Sequence, residues 1–151
     1  MLRRTHLALG VAVALQFLPF VQDKFIFFAA VLLATLLPDV DSKFSWAWRL
    51  PFTKPAPMEA THRGFFHSYT FCIPASIALS FIFPILALPF FLGYSFHIFA
   101  DSFTPQGIRP FWPFKAVSKG PVTSGSKLDD VVFWLFAMLD VLLVFVVFMF
   151  Y

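Results

Sequence analysis

The chain has only four histidines, His6, His62, His67 and His97, and acids stand beside or opposite them. "HIFAD" puts His97 and Asp101 four apart, about one helical turn, so the two share a helix face and form a natural two-ligand unit. "LLPDVDS" ends a greasy run with Asp39 and Asp41, separated only by Val40. "THRGFFHS" carries His62 and His67 five apart, and on a regular helix these would point about 140° away from each other. His62 is therefore expected just ahead of the helix, where Gly64 gives the backbone freedom. Imidazole nitrogens with carboxylate oxygens make the ligand set of zinc, and also of manganese or iron. A divalent ion would supply the positive charge that makes acids tolerable beside apolar chain.

Seven such groups exceed the needs of one tetrahedral ion, so two or more divalent ions are expected, zinc foremost. An oxygen-rich site of this kind points to hydrolysis by metal-activated water. One ion lowers the pKa of water, and the pair neutralises the oxygens of the group under attack.

The elements that must position these groups follow from composition. Of the 151 residues, 60% are hydrophobic, 13% charged and 24 are Phe, which is too apolar for a domain that faces water on all sides. Lys, Arg, Asp and Glu are missing from residues 5 to 22, 25 to 38, 64 to 100 and 131 to 139. A helix needs about 20 residues to cross a bilayer, and the third run is about twice that with Pro84 near its middle. We therefore expect a single all-α membrane domain over residues 1 to 151. Five antiparallel transmembrane helices are expected near 5 to 22, 24 to 38, 66 to 83, 85 to 102 and 129 to 150. Arg3 and Arg4 ahead of an apolar stretch imitate a secretory signal, but no small-x-small cleavage site follows and the first helix is expected to be retained.

Alternating spans bring the starts of the first and third helices and the ends of the second and fourth to one face. His6, Asp39, Asp41, His62, His67, His97 and Asp101 are thereby expected to converge. That face also carries ten of the 11 basic residues, Arg3, Arg4, Lys43, Arg49, Lys54, Arg63, Arg109, Lys115, Lys119 and Lys127, leaving Lys24 on the other. The positive-inside rule makes the face cytoplasmic and puts the C-terminus on the opposite side. Trp46, Trp48, Trp112 and Trp134 lie in or next to the same face, and "KFSWAWRLPF" (43 to 52) reads as a segment resting on the membrane surface. The net charge of +3 follows from this topology, and no nucleic-acid partner is expected.

Taken singly, a histidine near a helix end is most often an interfacial or capping residue, and Asp39 and Asp41 compete with a solvated loop start after Pro38. It is the coincidence of all four histidines with acids that favours a metal. Arg63 and Arg109 read equally as headgroup contacts or as anion-binding groups. Cys72, alone in a span, reads as a small buried residue. Asp140 lies about 16 Å along the last helix from Asp129, too deep to join the cluster, and reads as a carboxyl bonded to a neighbouring helix.

At these residues the chain resembles the YdjM-like inner-membrane family, described as membrane-bound metal-dependent hydrolases. The matching stretches are "THLALG" (5 to 10), "LLPDVDS" (36 to 42), "HRGFFHS" (62 to 68), "GYSFHIFADSFTPQGI" (93 to 108) and "PFWPF" (110 to 114). Phe66 stands where that family often has a small polar residue. The resemblance implies an inner-membrane hydrolase with the same seven residues as ligands. The H-x-x-x-D helix and early histidine are also similar, more faintly, to the zinc-dependent phospholipases C, which favours phosphoester substrates.

The expected function is thus hydrolysis of a phosphoester in a membrane lipid or another amphipathic, lipid-linked substrate. Asp39, Asp41, His97 and Asp101 would hold or bridge the ions, and His6, His62 and His67 would complete the shell. Asp39 and Asp101, with Arg63 or Arg109 steadying the anion, are the expected catalytic residues. The 103 to 128 loop would form a rim or lid, with Thr104 behind the ligands. The rival readings are a divalent-metal transporter or sensor, and a non-catalytic scaffold with a structural metal. The sequence leaves oligomeric state open.

Overall fold

The computed structural model describes residues 1–44 and 65–150, the side chains of 40–44 excepted. The expectations for His62, Arg63, Trp46, Trp48 and most of the 43 to 52 segment lie outside the described residues, as does the side chain of Asp41. The described chain is all-helical. Five α-helices run in the order α1 (Arg3–Phe17), α2 (Lys24–Phe44), α3 (Tyr69–Ile82), α4 (Pro84–Asp101) and α5 (Lys127–Phe150). A 3-10 turn, Leu18–Phe20, follows α1. It falls at Pro19, whose ring removes a helix donor, so α1 stops short of residue 22.

Two helices, α4 and α5, are long and apolar enough to cross a membrane by length and composition, while α3 has only 14 residues. α5 leaves a broad apolar surface outside the protein: Met138 is 71% exposed and Phe148 90%. Water would penalise such a continuous face, and hydrocarbon would not.

The second helix differs from expectation. Rather than ending at Pro38 it runs on to Phe44, with the proline inside it. A proline removes one intrahelical bond, but membrane helices tolerate this where neighbouring helices pack against the break, and Pro38 is fully buried. Asp39 and Asp41 consequently sit within the last turns of α2 and not at a loop start.

The bundle packs α1 against α2, α4 and α5, with α4 also wedged between α2 and α3. Leu9, Val13, Ala14, Phe27, Val31, Leu92 and Ala100 form the apolar core between α1, α2 and α4. A second cluster, Cys72, Tyr94, Ile98 and Ile108, seals α3 and the loop onto α4, and Cys72 is fully buried there as a small apolar side chain. Glycine sets the closest crossing. A Cβ on Gly93 would lie 2.3 Å from the Val31 carbonyl oxygen and 2.9 Å from the Thr35 nitrogen, so α2 and α4 touch backbone to backbone.

The 102 to 126 loop is braced onto the end of α4. Ile108 and Ser118 pair as an antiparallel bridge, and the Thr104 carbonyl accepts from the Gly107 and Gly120 amides at 3.0 and 3.1 Å. The Phe103 carbonyl accepts from Val122 at 3.0 Å, and the Pro110 carbonyl from Tyr69 at 2.7 Å.

Candidate metal centre

His97 sits one turn beyond Gly93 on α4, and the close crossing there brings the Thr35 carbonyl within 2.8 Å of its Nδ1. A carbonyl only accepts, so Nδ1 carries a proton, and Nε2 is the nitrogen left to face the cluster. That nitrogen faces two carboxylates, Asp101 Oδ2 at 3.6 Å and Asp39 Oδ1 at 3.9 Å. His97 is fully buried, and its Nε2 has no hydrogen-bond partner among the described residues.

Asp101, at the last residue of α4, is the hub. Its Oδ1 lies 3.3 Å from His6 Nε2, and its Oδ2 lies 3.9 Å from His67 Nε2. The backbone nitrogen of Met1 approaches Oδ1 at 3.6 Å. The His6 and His97 rings stack with centroids 4.2 Å apart, and His67 meets His97 edge-on at 5.6 Å. His6, His67, His97 and Asp101 are all buried.

Two overlapping sets result, His6 with His97 and Asp101, and Asp39 with His67 and His97. Within each set the donor atoms lie within 4.8 Å of one another. These separations decide what the cluster fits. Zinc bonds of about 2.1 Å at tetrahedral angles place neighbouring donors about 3.4 Å apart. The spacings of 3.6 to 3.9 Å are long for hydrogen bonds, and the whole range of 3.3 to 3.9 Å suits donors arranged round a small cation. No lysine or arginine among the described residues pairs with Asp101. The Thr35 carbonyl behind His97 is the outer partner that typically orients a ligating imidazole.

The candidate ligands are anchored by their own elements. Thr5, beside His6, donates from its hydroxyl to Asp129 Oδ1 at 2.8 Å. Asp129 Oδ2 accepts from the Leu2 and Gly125 amides at 3.0 and 2.8 Å, tying the start of α1 to α5. Arg4 extends the tie, pairing with Asp130 and lying 5.0 Å over the Phe133 ring. The turn bearing His67 is fixed by Tyr94, whose hydroxyl donates to the Phe66 carbonyl at 2.6 Å, and by the Ser68 hydroxyl bonded to the Phe65 carbonyl. Thr104 donates from its hydroxyl to the Asp101 carbonyl at 2.8 Å, pinning the last turn of α4.

The profile of the YdjM inner membrane protein family matches residues 1–151. The chain belongs to the YdjM family. Inner membrane protein YdjM of Escherichia coli (strain K12) is 38% identical over 107 residues, which cover 65% of this chain and 55% of that protein. The Shigella flexneri protein of the same name matches to the same extent. The chain thus spans about half the length of the curated relatives it matches. No solved structure matches. As a YdjM-family member the chain is an inner membrane protein.

In this YdjM-family chain, five of the seven expected ligands have described side chains, and the fold brings all five together: His6, Asp39, His67, His97 and Asp101. Asp41 follows Asp39 within α2. Arg109 is exposed on the loop beside the Ile108 bridge and makes no ion pair among the described residues. Thr104 stands behind Asp101 through its backbone. Asp140 stays apart from the cluster, and its Oδ1 is buried without a hydrogen-bond partner among the described residues, so the expected bond to a neighbouring helix is not seen there. The sequence reading passed over Thr35 and Asp129. Asp129 had a signal: Ser126 three residues earlier makes a capping pattern, and its hydroxyl accepts from the Asp129 amide at 3.3 Å.

Proposed function

We propose that this protein is a metal-dependent hydrolase of phosphoesters in lipid or lipid-linked molecules, with its site at the cytoplasmic face of the inner membrane. The observation that carries the reading is His97 Nε2, buried without a hydrogen-bond partner among the described residues and turned toward two carboxylates. On this reading all five helices traverse the membrane and the C-terminus lies on the far side, in keeping with the basic residues gathered on the loop face.

The two oxygens of Asp101 divide the cluster. Oδ1 faces His6, while Oδ2 faces His97 and His67 with Asp39 beyond. His6, His97 and Asp101 would hold one ion, and Asp39 and His67 beside His97 would hold a second. Asp41 and His62 complete the set in this proposal, and zinc is its first choice. A divalent ion bound there would supply Lewis acidity toward a phosphoryl oxygen and would make water a nucleophile near neutral pH. The chain's own residues hold the acids at fixed spacing, keep the three imidazoles in a dry pocket, and set the His97 tautomer through Thr35. Arg63 or Arg109 would steady the anion from the loops.

The test uses the full chain in amphipol, assayed for phosphate release from single-chain and two-chain lipid phosphates. Activity that disappears on chelation, returns with zinc and is absent in Asp101→Asn supports the proposal. Ion flux in sealed vesicles with no hydrolysis of any lipid phosphate overturns it in favour of a transporter.

A further inference from the structure

Beside the cluster, between α1, α4 and α5, lies a cavity of about 270 Å³ whose exposed lining is wholly apolar. Leu9, Phe99, Phe103, Val132 and Phe136 supply most of its wall. Thr5 contributes too, but its hydroxyl is turned to Asp129. The cavity is adjacent to the ligands in sequence as well as space, since Thr5 precedes His6 and Ala100 precedes Asp101. A second, more open cleft of about 610 Å³ is lined by Met1, Leu2, Arg3, Arg4 and Asp39. Met1 lines both, so the apolar cavity and the arginine-lipped cleft are neighbours just ahead of α1.

The two arginines differ. Arg4 is committed to Asp130 and to the Phe133 ring. Arg3 is exposed and makes no ion pair among the described residues. A guanidinium on the rim of a cleft that also contains Asp39, one of the candidate ligands, is complementary to a phosphate approaching the cluster. The cavity is slightly smaller than the roughly 300 Å³ at the low end of small-molecule pockets, which suits one hydrocarbon chain and not two.

We propose that the substrate is a single-chain alkyl or prenyl phosphate, its chain seated in the α1/α4/α5 cavity and its phosphate met by Arg3 on the Asp39 side of the cluster. This rests on the hydrolase reading and narrows it. Hydrolysis of such a monoester breaks the bond between phosphorus and the ester oxygen, consumes one water, and yields the alcohol and inorganic phosphate without a redox partner. The second chain of a phospholipid finds no room in a cavity of this volume, and a free phosphate gains nothing from it.

The experiment measures binding of dodecyl phosphate, didodecyl phosphate, 1-dodecanol and inorganic phosphate to the full chain in amphipol, both zinc-loaded and chelated, with metal content read separately. Dodecyl phosphate is expected to bind about tenfold or more tightly than the other three. Arg3→Gln should weaken dodecyl phosphate about tenfold and leave 1-dodecanol unchanged, because only the charge-assisted bond is lost. Val132→Trp, which fills the cavity from α5, should weaken both chain-bearing probes while zinc is retained. Val122→Phe fills it from the loop, giving the same reading should Val132→Trp fail to fold. Wild-type affinity for dodecyl phosphate in the folded variants, or equal binding of the two-chain probe, overturns the proposal. Binding that follows this pattern without any hydrolysis by the zinc-loaded protein would refute the hydrolase reading alone. Hydrolysis with indifferent binding would refute the single-chain site alone.

Discussion

Gly93→Ala tests the link between helix packing and the metal centre. A Cβ at this position would meet the Val31 carbonyl oxygen at 2.3 Å, the Ala34 Cβ at 2.9 Å and the Thr35 amide nitrogen at 2.9 Å, where ordinary contact begins at 3.4 Å. The nearest obstacle is backbone, so relief requires α2 to withdraw from α4 by about 1 Å. The Thr35 carbonyl moves with it, and a 2.8 Å bond to His97 Nδ1 stretched by that amount is no longer a hydrogen bond. Overpacking of this kind costs about 1–3 kcal/mol of stability. Loss of the outer partner of a ligating imidazole costs about 10–100-fold in metal affinity. Asp39, on the same retreating helix, adds to the loss. The assay is competition for zinc against a chromophoric chelator, with helicity and monodispersity checked in parallel. Gly10→Ala is the control, because its Cβ meets only the Thr35 side chain, at 2.8 Å, and should have a smaller effect. A folded Gly93→Ala protein that binds zinc like wild type would refute the reasoning.

Other outcomes follow from the same contacts. Asp129→Asn puts an amide group among donors from Leu2, Gly125 and Thr5, and should cost about 1–3 kcal/mol by reversible unfolding of the metal-free protein. Thr104→Val removes the bond to the Asp101 carbonyl, so a loss of about 1 kcal/mol with weaker zinc binding is expected in the same two assays. Asp140→Leu should leave zinc content unchanged and raise thermal stability by about 1–3 kcal/mol, because a carboxyl oxygen buried without a partner is replaced by hydrocarbon. Imidazole ligates metal only when neutral, so zinc should be released as the medium is acidified, and chelator competition across a pH series reads this directly.

The parts of the account that were visible in the sequence are those set by local spacing and by the alternation of helix direction. His97 and Asp101 were readable as a pair because four residues make about one turn whatever surrounds them. The meeting of His6 with Asp101 was readable because alternating spans carry the start of the first helix and the end of the fourth to one face. Pro38 misled, since its effect on a helix depends on what packs against the break, and here α2 continues past it. Thr35 was invisible because it acts through a carbonyl that every residue possesses. Its role arises from the absence of a side chain at Gly93, on another helix. Asp129 carried a cap signal, yet its partners Leu2 and Thr5 lie at the opposite end of the chain, and no local pattern reports them.

Elemental analysis of the purified full chain beside its Asp101→Asn variant tests the central claim most directly, because the two carboxylate oxygens touch both halves of the cluster. The account predicts at least one tightly held divalent ion per wild-type chain, and little or none in the variant while its helices remain folded. Wild-type protein that takes up no metal, or a variant that keeps the full complement, would contradict it.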